Sequence, residues 1–186
     1  MPQPASGKEE QSLETRDMSI PVITIIAKSG SGKTTFMEKL IRELKGRGYR
    51  VGTVKHHSHR GFDIDHPGKD SWRHAQAGSE YVVIASPDKI ASYRQLEREL
   101  TLDEVLASMQ GIDIILVEGY RQAGKPTLEV VREQIGLELI SSPEQRLAVI
   151  SDVPLDVEGD QFGLEDVKEV ADLIESRFLS TDVRPG

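Results

Sequence analysis

The stretch Pro21-Val22-Ile23-Thr24-Ile25-Ile26-Ala27-Lys28-Ser29-Gly30-Ser31-Gly32-Lys33-Thr34-Thr35 decides the fold. Its first part is a β-branched apolar run, which reads as a buried strand. A glycine-rich turn follows. From Lys33, apolar residues recur at helical spacing (Phe36, Leu40, Ile41, Leu44) until Gly46 and Gly48 stop the helix. Small residues between a strand and a helix let successive backbone N–H groups turn inward as an anion nest, and the helix aims the positive end of its dipole at the same point. The segment is therefore read as a phosphate loop. Ala27, Lys28, Ser29, Gly30, Ser31, Gly32, Lys33, Thr34 and Thr35 are its expected phosphate-binding residues, with Lys33 reaching the β- and γ-phosphates and the Thr34 hydroxyl ligating Mg²⁺. One position departs from the usual G-x-x-x-x-G-K-[ST] pattern: Ala27 stands where the first glycine is expected, and a side chain that small should be tolerated.

A phosphate loop needs a carboxylate beside its metal, at the end of a neighbouring apolar strand. Asp113 opens the strand candidate Ile112 to Val117 and Glu118 follows it. At ~3.3 Å per residue the two acids stand about 16 Å apart. Only the carboxyl end of a parallel strand faces the ligand. Glu118 is the choice for metal and catalysis, and Asp113 is left as a strand-start charge. Further strands are expected at Arg50 to Val54, Tyr81 to Ala85, Leu128 to Val131 and Leu147 to Ile150, and helices from Asp70, which can cap, through Ala77, at Thr101 to Met109 and at Leu164 to Phe178. This alternation predicts an α/β protein with a three-layer P-loop NTPase fold and a mainly parallel central sheet.

The chain has 186 residues, room for one such domain, expected over residues 20–180, with a polar tail at 1–19 and a short one at 181–186. With 23 basic and 31 acidic side chains the formal charge is −8, which argues against nucleic-acid or anionic-lipid partners. There are no cysteines, which removes disulfide and thiolate chemistry and fits a reducing compartment. No apolar run approaches the ~18 residues of a membrane span, and the first residues cannot serve as a secretory signal. The expectation is a cytoplasmic protein.

The segment from Lys55 to Ser71 is rich in His, Asp and Gly and should open at the ligand-bearing edge of the sheet. His56, His57, His59 and His66 invite a zinc or nickel reading. Adjacent His56 and His57 point opposite ways on an extended chain, so the favoured reading is histidines without a metal. Asp63, Asp65 and Asp70 could organise Mg²⁺ or a water.

Beyond the phosphate loop, Gly52-Thr53-Val54-Lys55-His56-His57, Asp65-His66-Pro67-Gly68-Lys69-Asp70-Ser71 with Ala77-Gly78, Leu116-Val117-Glu118-Gly119-Tyr120, and Lys125-Pro126-Thr127-Leu128-Glu129-Val130-Val131-Arg132 occur in that order. From about Val22 to Asp152 the chain resembles the molybdopterin-guanine dinucleotide biosynthesis adaptor family, MobB. The resemblance implies a GTP-binding homodimer with weak GTPase activity that assists a partner nucleotidyltransferase in joining GMP to molybdopterin. It makes Lys33, Asp70 and Glu118 the catalytic candidates, Thr34 and Glu118 the Mg²⁺ ligands, and Asp152, after the strand Leu147 to Ile150, a candidate reader of the guanine N1–H and 2-amino group. Lys28 resembles the early lysine of deviant phosphate loops that reaches across a dimer to the partner's phosphates. Candidate dimer surfaces are the strand Leu128 to Val131 and the closing helix, although apolar faces there also suit a core. No side chain is obviously placed as an activating base or arginine finger, so turnover should be slow.

Two other functions fit parts of the sequence. A GTPase metallochaperone for nickel or a similar ion would use His56, His57 and His59. A small-molecule kinase would need an arginine-rich lid, for which Tyr93 to Arg98 is the weak candidate.

Overall fold

The apolar face of α1 (Lys33–Gly46) explains where the core forms. Phe36, Met37, Leu40 and Leu44 are spaced to fall on one side of the helix, and all four are buried. They belong to one core with Ile23, Ile25 and Ala27 of the preceding strand, β1 (Val22–Ala27). Burial of each large side chain contributes about 1.5–3 kcal/mol. The computed structural model describes residues 20–57 and 61–179; the expected tails and His59 lie outside them.

The remaining elements are β2 (Val51–Lys55), α2 (Asp70–Gln76), β3 (Tyr81–Ala85), β4 (Ile90–Arg94), α3 (Leu102–Leu106), β5 (Ile114–Glu118), β6 (Thr127–Val131), β7 (Arg146–Ser151), β8 (Asp160–Phe162) and α4 (Val167–Phe178). Six strands form one sheet in the order β2-β5-β1-β6-β7-β8, and every neighbouring pair is parallel. α1 and α4 cover one face. Val167, Val170, Ala171 and Ile174 of α4 join the same core as α1. On the other face Leu102 of α3 packs with Val54, Ile115 and Val117. The expected three-layer P-loop NTPase architecture is what forms.

Arg47, just past α1, ties the two helices together. Its guanidinium donates to Asp172 and Glu175 of α4, each at 2.6 Å, and to Glu43 at 2.8 Å. Partial burial works against its charge, but the three carboxylates outweigh that and push its pKa further up.

Several expectations change in detail. The strand Tyr81–Ala85 forms but does not join the main sheet; it pairs antiparallel with Ile90–Arg94, a strand not foreseen, through a turn closed by Ser86 N–H to the Lys89 carbonyl at 2.8 Å. Tyr93 and Arg94, read as part of a kinase-like lid, therefore belong to this hairpin. Strand β5 starts at Ile114 rather than Ile112 because Asp113 is held outside it: the Arg50 N–H donates to its carboxylate at 2.7 Å, and the Arg50 guanidinium pairs with it at 2.6 Å. That guanidinium holds the Asp113 carboxyl below the usual carboxylate range. α4 starts at Val167 rather than Leu164, after a turn in which the Gly163 N–H donates to Asp166 at 2.8 Å. α3 is shorter than Thr101 to Met109, but its capping box forms, Thr101 accepting from the Glu104 N–H. Asp70 is not a cap; it is the first helical residue and Lys69 precedes it without a side-chain cap. Of the two candidate dimer surfaces, Leu128–Val131 is buried between β1 and β7, and the apolar residues of α4 face the core.

Leu40→Ala empties a site with no solvent exposure and is expected to lower the unfolding free energy by about 2–5 kcal/mol, seen as a reduced urea midpoint at unchanged slope. A loss below about 1 kcal/mol would contradict this packing.

Candidate functional site

A parallel sheet brings the carboxyl ends of its strands to one edge. Here that edge carries Lys55, Glu118, Ala27, Val131 and Ser151, the last residues of β2, β5, β1, β6 and β7. Ala27 is an ordinary buried strand residue opposite Val130. The loop after it turns through Gly30 (φ 82°) and Gly32 (φ 83°), the second of which is the N-cap of α1. Glycine at the cap supplies the left-handed backbone, and no side chain caps the helix. A Ser or Asp there would hydrogen-bond the first-turn amides. Instead, among the described residues, the N–H groups of Gly30, Gly32, Lys33 and Thr34 find no acceptor, while Ser31 N–H reaches the Lys28 carbonyl at 3.3 Å. Four unengaged amides at a helix N-terminus make an anion nest.

At the mouth of the nest the Lys33 ammonium lies 2.9 Å from Glu118 Oε1, with side-chain exposures of 24% and 13%. Register fixes the partners: Glu118 stands opposite Ile25 of β1 and Lys55 of β2, and the Lys55 ammonium is 3.7 Å from the same oxygen. Thr34 and Thr35 are exposed on the first turn of α1. Lys33, Thr34 and Glu118 are thus brought together at one edge. Asp70 is not part of that group: its carboxylate is almost fully exposed and pairs with Arg73 at 3.8 Å.

The side of the loop toward β6 carries residues the sequence reading passed over. A Cβ built on Gly32 would lie 3.4 Å from the Arg132 guanidinium, and one on Gly30 would lie 3.5 Å from Ile135. Arg132 follows β6, so its place at the end of a strand beside β1 was the available signal. Asp152 lies on this side, accepting from the Glu133 N–H at 2.9 Å, with Arg132 at 3.9 Å from its other oxygen. Lys28 points the same way and pairs with Glu138 at 3.2 Å. Glu129 anchors the segment that follows β6: this buried carboxylate accepts the Ile140 N–H at 2.7 Å and the Ser141 N–H at 2.9 Å.

The β5 side is different. A cleft of about 830 Å³ opens beside Lys33, between the 99–103 and 119–123 segments. The rings of His56 and Tyr120 form part of its wall, with centroids 4.4 Å apart, and His56 Nε2 is 2.7 Å from Glu99 Oε1. The Arg121 guanidinium donates to the Ala27 carbonyl at 3.4 Å. Two arginines therefore abut the loop, neither of which the sequence singled out for it. Tyr120 has a φ of 50°, the one positive value at a non-glycine among the described residues. Burial, with the Glu99 charge, pushes its phenol pKa up. Among the described residues no group of three or more His, Asp or Glu side chains could hold a metal ion, and no helix is long and apolar enough to cross a membrane.

The sequence and the fold have counterparts among known proteins. The family model described as molybdopterin guanine dinucleotide synthesis protein B matches residues 22–152, which holds the whole edge from β1 to Asp152. The chain belongs to the MobB family. The molybdopterin-guanine dinucleotide biosynthesis adapter protein of Haemophilus influenzae is 36% identical over 159 residues, covering 84% of this chain and 89% of that protein. Its Escherichia coli namesake is also 36% identical, over 83% of this chain and 91% of its own length. A crystal structure of molybdopterin-guanine biosynthesis protein B superposes with a TM-score of 0.65 at 31% identity, covering 83% of this chain and 98% of that one. The family match runs over residues 22–152, the span that holds β1 to β7 and the loop between β1 and α1.

Gly119 brings the segment after β5 against the residue that follows β2. It has a φ of 96°, and an added Cβ would lie 2.8 Å from the His56 Cβ. Gly119→Ala is strained twice, by backbone and by contact. It should destabilise the protein by about 1–3 kcal/mol and alter the near-ultraviolet signal of Tyr120; an unchanged melting curve and spectrum would refute the tight approach.

Proposed function

We propose that this MobB-family protein is a Mg²⁺-dependent GTP-binding adaptor with weak GTPase activity, which assists a partner nucleotidyltransferase in joining GMP to molybdopterin. The observation that carries the reading is the nest of inward-turned amides at the start of α1 with the Lys33–Glu118 ion pair at its mouth. The names of the relatives supply the pathway.

In this reading the nest amides hold the β-phosphate, and Lys33 turns from Glu118 to the β- and γ-oxygens. Thr34 and Glu118 are the side chains that would hold Mg²⁺, which would supply neutralisation of the phosphate charge. The donor set is a hydroxyl and a carboxylate, the hard oxygens that ion prefers. Arg132 adds a cation on the β6 side, balanced between Asp152 and the bound phosphates. Asp152 accepts from the guanine edge. In this reading hydrolysis is slow, since the carboxylate of Asp70, the candidate for orienting water, pairs with Arg73 at 3.8 Å and not with the Lys33–Glu118 group.

The homodimer is proposed to use the β3–β4 hairpin. Val83 is 51% exposed, Ile84 47% and Ile90 72%. A two-stranded ribbon exposing apolar groups on both faces is marginal alone and is stabilised by a second surface. Ile84→Asp combined with Ile90→Asp should convert a dimer to a monomer in sedimentation equilibrium while the sheet stays folded; a dimer surviving both changes would place the interface elsewhere.

Titration calorimetry tests the nucleotide site. GTP with Mg²⁺ should bind more tightly than ATP, Lys33→Ala should weaken GTP by about 100-fold or more, the scale of a lost charge-assisted phosphate contact, and Asp152→Ala should abolish the preference for GTP. Equal ATP binding by the unmodified protein would undo the guanine assignment; GTP binding indifferent to Lys33→Ala would undo the phosphate-loop assignment.

A further inference from the structure

Apart from Lys33 at its loop end, the residues lining the cleft on the β5 side have no role in nucleotide binding as described above. β7, which ends next to Asp152, and β5, which ends at Glu118, lie on opposite sides of β1 in the sheet order. A nucleotide with phosphates on the loop and its base toward Asp152 leaves the β5 side open. The space there, about 830 Å³, falls within the range of small-molecule pockets, about 300–1,000 Å³.

Its lining has a definite chemistry. Tyr120 offers a ring face, with its backbone held at φ 50° and its ring packed against His56. Glu99 projects a carboxylate that His56 Nε2 holds at 2.7 Å. Leu100 and Ala123 are apolar lining residues. At the loop end stand Lys33 and Arg121, the latter anchored on the Ala27 carbonyl. An aromatic platform, a carboxylate and a cationic end suit a planar heterocycle that presents two adjacent N–H donors and carries a phosphate. A carboxylate pairs with such an edge through both oxygens.

We propose that this cleft is a second ligand site, for a phosphorylated bicyclic heterocycle with a 2-amino-4-oxopyrimidine edge, that is, a pterin. Glu99 accepts from the ring N3–H and the 2-amino group, Tyr120 stacks on the bicycle, and Arg121 takes the phosphate. The adaptor would then present a nucleotide and a pterin on one sheet edge, on either side of β1. The proposal rests on the nucleotide lying toward Asp152 as argued above. Guanine carries the same edge, so the test separates the two sources.

The full chain is titrated into 6-hydroxymethylpterin and into its phosphate ester, following pterin fluorescence and anisotropy, with and without saturating Mg²⁺-GTP. The expected result is saturable binding of one pterin per chain, tighter for the phosphate ester and retained when GTP is saturating. Glu99→Ala and Tyr120→Leu should each weaken the pterin by about tenfold, the scale of one charged hydrogen bond or one stacked ring, with GTP affinity by calorimetry unchanged. Glu99 is largely exposed, so its variant stays folded even if Tyr120→Leu does not. Displacement of pterin by GTP would overturn the proposal and assign the cleft to guanine. Absence of pterin binding to a protein that binds GTP, or binding indifferent to Glu99→Ala, would also overturn it. Loss of GTP binding throughout would fall on the nucleotide reading alone, since the pterin titration is read independently.

Discussion

The ion pair between Lys33 and Glu118 joins the first helix to the neighbouring strand at the point where the sheet opens. Both groups are largely withdrawn from water, so neither is easily left alone: removing one partner of such a pair costs more than the loss of an exposed one, whose contribution is about 0–1 kcal/mol. The contact exists only because β5 runs parallel to β1 in the register that sets Glu118 against Ile25. It also requires that Gly32 end the loop in a left-handed conformation, so that α1 begins with Lys33. Sheet order, loop geometry and helix start are constrained together by one pair of charges.

With β1 as the divide, the ligand-bearing edge has two unlike halves. Toward β6 it carries two ion pairs beside the loop, Arg132 with Asp152 and Lys28 with Glu138, and the buried carboxylate of Glu129 holds the segment behind them. Toward β5 it is an open space walled by His56, Tyr120 and Glu99. A crowded charged side is suited to a polyanion. An open side with a ring face is suited to something flatter and less charged. The segment after β6 folds back to the loop, with Ile135 beside Gly30, whereas residues 99–103 and 119–123 stand on either side of the cleft.

How much of this was legible depends on whether a residue's role is set by its neighbours in sequence. β1, the loop and α1 were, because a β-branched run, small residues and a helical apolar period follow one another without interruption. Glu118 was legible by its place after an apolar strand, and Asp113 by its place before one. The Ile90–Arg94 strand was not, since its partner is a hairpin strand away from the core and its exposed Ile90 and Ser92 show no burial rhythm. Arg132 and Arg121 were missed because their relation to the loop arises only when β6 and β5 are laid beside β1. Asp70 shows the opposite case: it stands in a family-like segment, and its described surroundings are solvent and Arg73. The strand Leu128–Val131 could have been read either as core or as surface, and only the sheet order resolves it, by placing β6 third from one edge.

The alanine at position 27 shows what a phosphate loop requires of its first residue. Ala27 is still inside the strand, paired with Val130 and buried, with no positive φ. The turning is done by Gly30 and Gly32. A glycine at 27 would therefore gain nothing in the folded chain while widening the conformations open to the unfolded one, a difference of about 0.4–1 kcal/mol for Gly against Ala at compatible sites. The departure from the usual pattern is thus a small source of stability: the loop keeps its flexible residues only where the backbone must turn, and enters the turn from a stiffer strand.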